Sequence, residues 1–395
     1  MNEIKLSVVI VNYNQKYYLE QALVSLRAAT VGFDIEIIVV DNNAVDGAGA
    51  YLSARFPEVT FISNVGNGGI AQGNNIAFRY VHGEYVLFMH PDILLGEDVL
   101  RTMCFFLDEH PKVAGVGARV IDASGKYYKE SCRIFPTPSD YLLKVLGLSF
   151  LISNSKQHRF AKLSLNASRF KPYKIESLWG AFMMMRSRVF RELGGMDENF
   201  FLYGEDLDFS KRLVDAGYET YCIPETVLHY QSKFTRDENR FFVKAYYRSM
   251  LLYFGKYYNT LPDLYSSCLK AAVMCRWTLS PLFKRKNDGV KELENKKRRV
   301  LLVCNEILSE EIKTQFNRRF GKSAIERWAI ERKNLDDLLN RLQQRHSFTD
   351  IVYCFDDMRF EQIIHKIEQF YPKTIINHIY CKETGVLVSP GMARM

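Results

Sequence analysis

Four apolar runs near the N-terminus each break off on a polar cluster. LSVVIVN leads into Asn12-Tyr13-Asn14, IEIIVVD into Asp41-Asn42-Asn43, VTFIS into Asn64 to Gly69, and EYVLFMH into His90-Pro91-Asp92. Helical patterns fill the gaps, which is the βαβα signature of a mostly parallel sheet. Parallel strands point one way, so the four clusters converge on one edge, where open α/β sheets bind their ligands. Pro91 cannot donate to a ladder, so the fourth strand must stop there.

The chain has 395 residues, which predicts two or three domains, and its 47% hydrophobic and 25% charged fractions are those of a soluble globular protein. LSVVIV is too short for a signal peptide and Asn12 interrupts it, and no apolar segment reaches spanning length. The eight cysteines contain no C-x-x-C pair, so neither a zinc site nor a disulfide framework is expected; they read as core filler in a reducing cytosol. The net charge of +8 is uneven: KRKNDGVKELENKKRR (284–299) carries eight basic and three acidic side chains, which marks a basic linker. No nucleic-acid motif accompanies it, so no nucleic-acid partner is expected.

Each cluster admits a chemical and a plainer explanation. His90 and Asp92, at i and i+2 of an extended strand, point to one side and could share Mn²⁺ or Mg²⁺; otherwise Asp92 caps a helix beginning near Gly96 and His90 is a strand-end histidine. NVGNGGIAQGNN (64–75) follows a strand and opens a helix, a setting in which backbone amides receive phosphate. Gly66, Gly68 and Ala71 imitate a dinucleotide fingerprint, but that fingerprint belongs in the first βα turn, here NYNQ, and turns needing positive φ explain one or two of the glycines. Asp41 and Asn42 could hydrogen-bond a base or ribose, or only their own turn, and Asp46 reads as the cap of the next helix. Glu205 and Asp206 open a helix whose Leu207, Leu213 and Val214 should face inward. Acidic residues are common in a first turn, and a carboxylate there could accept a proton from a sugar hydroxyl. Phe200, Phe201 and Tyr203 could wall the site. His229 ends the strand-like IPETVLH, where a lone histidine is usually structural.

In order, SVVIVNYN, VVDNNAVDG, NVGNGGIAQGNN, HPD, WGAFMMMR, FFLYGEDLDFSKR and His229 resemble the family 2 inverting glycosyltransferases of GT-A fold, rhamnosyltransferase-like branch, over roughly residues 5–255. The resemblance implies an α/β GT-A nucleotide-diphospho-sugar transferase fold. It implies that Tyr13, Asn14, Asp41 and Asn42 hold the nucleotide, and that Asn67, Gly68, Gly69 and the following residues to Asn74 shape the donor pocket. Trp179, Gly180 and Ala181 would line the donor sugar and acceptor pocket, and Asp206, paired with Glu205, would be the catalytic base. Asp92 would ligate a divalent metal, Mn²⁺ or Mg²⁺, with His229; His90 departs from the Asp or Asn usual at its position and either ligates or touches phosphate. The implied reaction moves a sugar, rhamnose first, from a nucleoside diphosphate to a hydroxyl of a glycan or lipid-linked glycan during bacterial cell-surface polysaccharide synthesis. The competing readings are a catalytically silent relative acting as a scaffold and a nucleotidyltransferase.

The expected units are a catalytic domain over 1–240, a helical extension with basic linker over 241–298, and a small α/β domain over 299–395 built on RVLLVCN, DIVYCFDD and TIINHIY. YLLKVLGLSFLI (141–152) and the helical stretch 264–283, which runs into Lys284-Arg285-Lys286, could place a cytoplasmic enzyme peripherally on a membrane surface. The small domain shows no catalytic pattern and reads as a regulatory, docking or oligomerisation module; a homo-oligomer is compatible with it.

Overall fold

The four apolar runs become strands β1 (Leu6–Asn12), β2 (Ile35–Asn42), β3 (Val59–Asn64) and β4 (Tyr85–Met89). The computed structural model describes residues 4–128, 131, 134–145, 171–230, 238–258, 298–321, 325–331, 348–371 and 375–391, with single positions 267, 271 and 274. β1 pairs in parallel with β2 on one side and β4 on the other, and β2 pairs with β3. The chain therefore builds outward from β1 and then returns to its free side, so a topological switch point lies between β1 and β4. Val8 and Ile10 of β1 enter one apolar cluster and Val9 and Val11 another. Both faces of the strand are covered, which is why its run is continuous rather than alternating.

β5 (Ile93–Leu94), β6 (Val113–Asp122), β7 (Tyr173–Ile175), β8 (Phe182–Arg186) and β9 (Glu219–His229) extend the sheet in the order β3-β2-β1-β4-β8-β6-β9-β5, with β7 also on β9. β8 is antiparallel to β4 and β6, and β5 is antiparallel to β9. β9 absorbs Pro224 through a register shift, Ala118 lying opposite Ile223 and Arg119 opposite Thr226. A proline inside a strand is tolerated at such a bulge. The helices are α1 (Lys16–Ala29), α2 (Ala48–Ser53), α3 (Gly69–Phe78), α4 (Val99–Glu109), α5 (Pro138–Val145), α6 (Ser187–Glu192), α7 (Glu205–Asp215) and α8 (Glu238–Tyr257). α4 begins at Val99 and not near Gly96, so Asp92 does not cap it. On α7, Leu207 and Leu213 are buried as expected, but Val214 is 38% exposed and Phe209 takes the core position. Phe209 and Leu213 are four residues apart on one stripe, and Val214 lies about 100° further round.

A second sheet, β11-β10-β12-β13-β14, comprises β10 (Arg298–Val303), β11 (Ile325–Glu331), β12 (Asp350–Cys354), β13 (Ile376–Cys381) and β14 (Val386–Val388), with α9 (Glu306–Phe320) and α10 (Phe360–Phe370). It shares an apolar cluster with the first sheet: Ile363, Ile364 and Ile367 of α10 join Val120 and Ile121 of β6. Arg119 and Glu368 form a buried ion pair across the junction at 3.1 Å, and Asn377 Nδ2 donates to the Ala123 carbonyl at 2.9 Å. The expected boundary at 240 falls inside α8, which packs Met250, Tyr253 and Phe254 against Phe200 and Leu207 at the start of α7. Cys104, Cys222, Cys304, Cys354 and Cys381 are buried free thiols, as core filler should be. Most of YLLKVLGLSFLI, nearly all of 264–283 and the basic linker through 297 lie outside the described residues. Among the described residues no helix is long and apolar enough to cross a membrane.

Candidate active site

At the switch point the polar strand ends surround a cleft of about 560 Å³. Tyr13, Asn42, Asn67 and Gly69 line one part of it, His90, Asp92 and His229 another, and Trp179, Gly180, Ala181, Glu205 and Asp206 a third.

The histidine and aspartate meet by a different route from the one the sequence suggested. β4 stops at Met89, and His90 to Ile93 form a turn in which Ile93 N donates to the His90 carbonyl at 3.3 Å. Pro91 sits at the second position of that turn, where its fixed φ is favoured. His90 and Asp92 therefore converge through a turn and not through strand alternation. β5 then pairs with the end of β9, Ile93 opposite His229, and this sets the Asp92 carboxylate 3.1 Å from His229 Nε2. One ligand atom from each of His90, Asp92 and His229 lies within 4.8 Å of the others. Burial pushes the His90 imidazole down to about 4, against the pull of Asp92, so at neutral pH the ring carries a free lone pair. His229 Nδ1 is buried with no hydrogen-bond partner among the described residues.

These residues fit a divalent cation. Adjacent ligands of an octahedral ion at about 2.1 Å lie about 3 Å apart, close to the Asp92 to His229 separation. Two imidazoles with one carboxylate suit Mn²⁺ better than Mg²⁺, which prefers oxygen.

Asp206 sits in the first turn of α7, nearly buried. Its Oδ2 accepts the Gly180 N–H at 2.9 Å and its Oδ1 the Leu207 N–H at 2.8 Å, so the carboxylate has a fixed orientation. A Cβ on Gly180 would press on Asp206 Cβ at 3.1 Å, so the glycine permits this approach. Trp179 stands edge-on to His229, ring centroids 5.1 Å apart, with Tyr128 on its other side at 4.8 Å. Tyr203, just before α7, holds a positive φ of 66°, a strained backbone at the cleft wall.

The glycine-rich segment is built differently from a phosphate cradle. Asn42 is buried and donates to Asn67 Oδ1 at 2.9 Å and to the Gly69 carbonyl at 3.3 Å, while Asn64 donates to Asn42 Oδ1 at 2.8 Å. Gly69 alone among its glycines has positive φ, and a Cβ there would lie 1.9 Å from the Phe201 carbonyl oxygen. Ile70 N donates to that same carbonyl at 3.1 Å, so the glycine-rich loop is joined directly to the loop preceding α7. Gly69→Ala is expected to cost roughly 2–5 kcal/mol, from the positive φ and the clash together. Thermal melting checks the cost; an unchanged melting temperature would mean that this junction yields freely.

Four residues of the expected set do not line the cleft. Asn14 (φ 54°) accepts Val45 N–H at 2.7 Å and so ties the first two loops together. Asp41 accepts Ala44 N–H at 3.1 Å, and burial pushes its carboxyl above the usual range. The Gln72 side chain, four residues on, fills the space beside Gly68, and Asn74 is buried on α3 with its amide on Met196 Sδ at 3.4 Å. The N-cap of α2 is Gly47 and not Asp46, whose carboxylate nonetheless accepts the first amides of two helices, Ala48 N–H at 3.0 Å and Lys16 N–H at 2.9 Å. Of the expected wall, Phe201 and Tyr203 line the cleft, whereas Phe200 is core. Gln15, Tyr128, Phe241 and Phe242 line it without having been expected. Phe241 is 53% exposed and reaches Phe201 edge-on at 5.8 Å.

The profile of the family described as glycosyl transferase family 2 matches residues 7–194, from β1 through the turn at Asp92 to α6. Residues 7–194 thus carry a glycosyl transferase family 2 domain. A second profile, described as the N-terminal domain of galactosyltransferase, matches 161–235, the stretch that carries Trp179, Asp206 and His229. The larger sheet and its helices are the GT-A fold of this family, and the chain is a glycosyltransferase. Relatives of this glycosyltransferase include the N-acetylglucosaminyl-diphospho-decaprenol L-rhamnosyltransferase of Mycobacterium tuberculosis, 25% identical over 69% of this chain and 89% of that one. The rhamnosyltransferase WbbL of Escherichia coli is 26% identical over 60% of this chain and 87% of that one. Among solved structures it is similar to the mannosyltransferase PcManGT from Pyrobaculum calidifontis in complex with GDP-Man and Mn²⁺, at 15% identity over 81% of each chain and a TM-score of 0.44.

Proposed function

We propose that this glycosyltransferase moves a sugar, rhamnose first among candidates, from a nucleoside diphosphate to a hydroxyl of a glycan or lipid-linked glycan in cell-surface polysaccharide synthesis, with inversion at the anomeric carbon. The reading rests on one observation: the oriented carboxylate of Asp206 and the His90, Asp92 and His229 cluster open into the same cleft. The two named rhamnosyltransferase relatives support the choice of sugar, and the first, by its name, acts on a diphospho-decaprenol.

A divalent ion held by Asp92, His229 and His90 would supply positive charge where the diphosphate departs. Tyr13 and Asn67 receive the nucleotide and sugar end of the donor, with Asn42 holding Asn67 in place. Trp179 and Ala181 flank the transferred sugar, and Glu205 lines the cleft beside the base. Asp206 takes the proton of the acceptor hydroxyl as its oxygen attacks the anomeric carbon. The new C–O bond forms opposite the breaking bond to phosphate, and the nucleoside diphosphate leaves with that electron pair. With a lipid-linked acceptor, the enzyme would meet its substrate at the cytoplasmic face of the membrane.

A panel of sugar nucleotides with Mn²⁺ and a lipid-linked acceptor tests this. Release of nucleoside diphosphate, strongest with a deoxythymidine-diphosphate rhamnose donor, is the expected result. Pyrophosphate release, or no turnover with any donor, would overturn it.

A further inference from the structure

Among the described residues the second sheet and its helices contribute nothing to the cleft lining, yet they reach both segments that carry the candidate metal ligands. Asp92 immediately precedes β5, and His229 ends β9, so the two sit on the short ribbon that β5 forms with the last residues of β9. β5 has two residues and pairs only with β9, and Tyr230 N donates to the Asp92 carbonyl at 3.0 Å. So short an edge strand fixes little by itself.

The ribbon is held from both ends. Beyond β5 the Glu97 carboxylate accepts the N–H groups of Phe360 at 2.8 Å and Glu361 at 3.2 Å, the first two amides of α10. Those amides are the unpaired donors at the positive end of a helix, so charge and geometry both favour the contact. Arg359 adds an ion pair to Asp98 at 3.0 Å. Beyond β9 the Tyr230 hydroxyl donates to Gln21 Oε1 at 3.1 Å, and Gln21 Nε2 donates to the Ile379 carbonyl of β13 at 2.8 Å. Gln21 is wholly buried, and Tyr18, whose ring centroid lies 5.2 Å from that of Tyr230, donates its hydroxyl to the Ser389 carbonyl at 2.8 Å.

We propose that the C-terminal unit is a clamp that sets the spacing of Asp92 and His229, with Glu97 and Gln21 as its positioning residues. Glu97 fastens the segment of Asp92 to α10, and Gln21 fastens that of His229 to β13. The proposal rests on the metal-site reading above. Among the described residues Glu97 and Gln21 share no hydrogen-bond partner, so their effects on the site should multiply.

Titration of the full-length chain with Mn²⁺ alone, followed by the electron paramagnetic resonance of the free ion, tests it without an activity assay. Asp92→Asn should lose binding. Glu97→Gln and Gln21→Met should each weaken Mn²⁺ by about tenfold and the double variant by about a hundredfold, the scale on which residues behind metal ligands act. Tyr230→Phe, which deletes one hydroxyl, replaces Gln21→Met should the latter not fold. Glu368→Gln loosens the same junction away from the ribbon; it should lower the melting temperature and leave Mn²⁺ affinity unchanged. Asp92-dependent binding that is unaffected by Glu97→Gln and by the Gln21 or Tyr230 change overturns the clamp, as does an equal loss in Glu368→Gln. Binding that is absent from the wild type, or that survives Asp92→Asn, overturns the metal site and the clamp with it.

Discussion

Asp206→Asn is expected to lower kcat by about a thousandfold, inside the 10²–10⁴ range of a general base, with donor affinity held within about twofold. Asparagine keeps the volume but cannot take a proton. It also cannot satisfy both backbone donors: the Gly180 and Leu207 N–H groups each need an acceptor, and the amide presents one oxygen and one NH₂. The mismatch costs about 1–3 kcal/mol of stability, so the melting temperature should fall while the fold survives. The signature is therefore a loss in kcat without a matching rise in the donor KM, as expected when an interaction made only in the transition state is removed. Turnover comparable to wild type would take Asp206 out of the base role.

Removing the metal should have an effect of similar size. Dialysis against a chelator is expected to lower turnover about a hundredfold or more, since a bound ion supplies several kcal/mol of charge stabilisation. Mn²⁺ should restore the dialysed wild type but not Asp92→Asn. Full activity in chelator would remove the ion from the reaction. His90→Asn divides the remaining question: a raised Mn²⁺ half-saturation marks the imidazole as a ligand, whereas an altered donor KM at unchanged Mn²⁺ demand marks it as a phosphate contact.

Much of the framework was legible because strands and motifs advertise themselves over many residues. β1 through β4 and the start of α7 lie where the apolar runs and the helical pattern put them. Single contacts were not legible. The side-chain bonds of Asn14 and Asp41 to loop 41–45, and of Asn74 to Met196, had no signal in the motif, because they depend on where a turn brings a distant group. Phe241 and Phe242 lie on an aromatic-rich helix whose sequence marks no cleft-facing side, and Tyr128 follows β6 with no pattern of its own. His90 and Asp92 were brought together for the wrong reason, since alternation along a strand and a proline turn both place i and i+2 side chains near one another. The role of the second sheet had no trace in the sequence, because Gln21, Glu97 and Tyr230 act only through partners far along the chain.

The junction at Gly69 has a consequence for how such an enzyme changes its sugar. Because the Phe201 carbonyl occupies the space that a Cβ at position 69 would fill and also accepts the Ile70 amide, the glycine-rich loop proposed to meet the donor and the loop leading into Asp206 are one mechanical part split across two distant stretches of chain. On the proposed donor site, the portable unit of specificity is then the pair. Grafting a relative's 64–75 loop alone imports half a hinge, whereas grafting it together with 200–204 carries the fit intact.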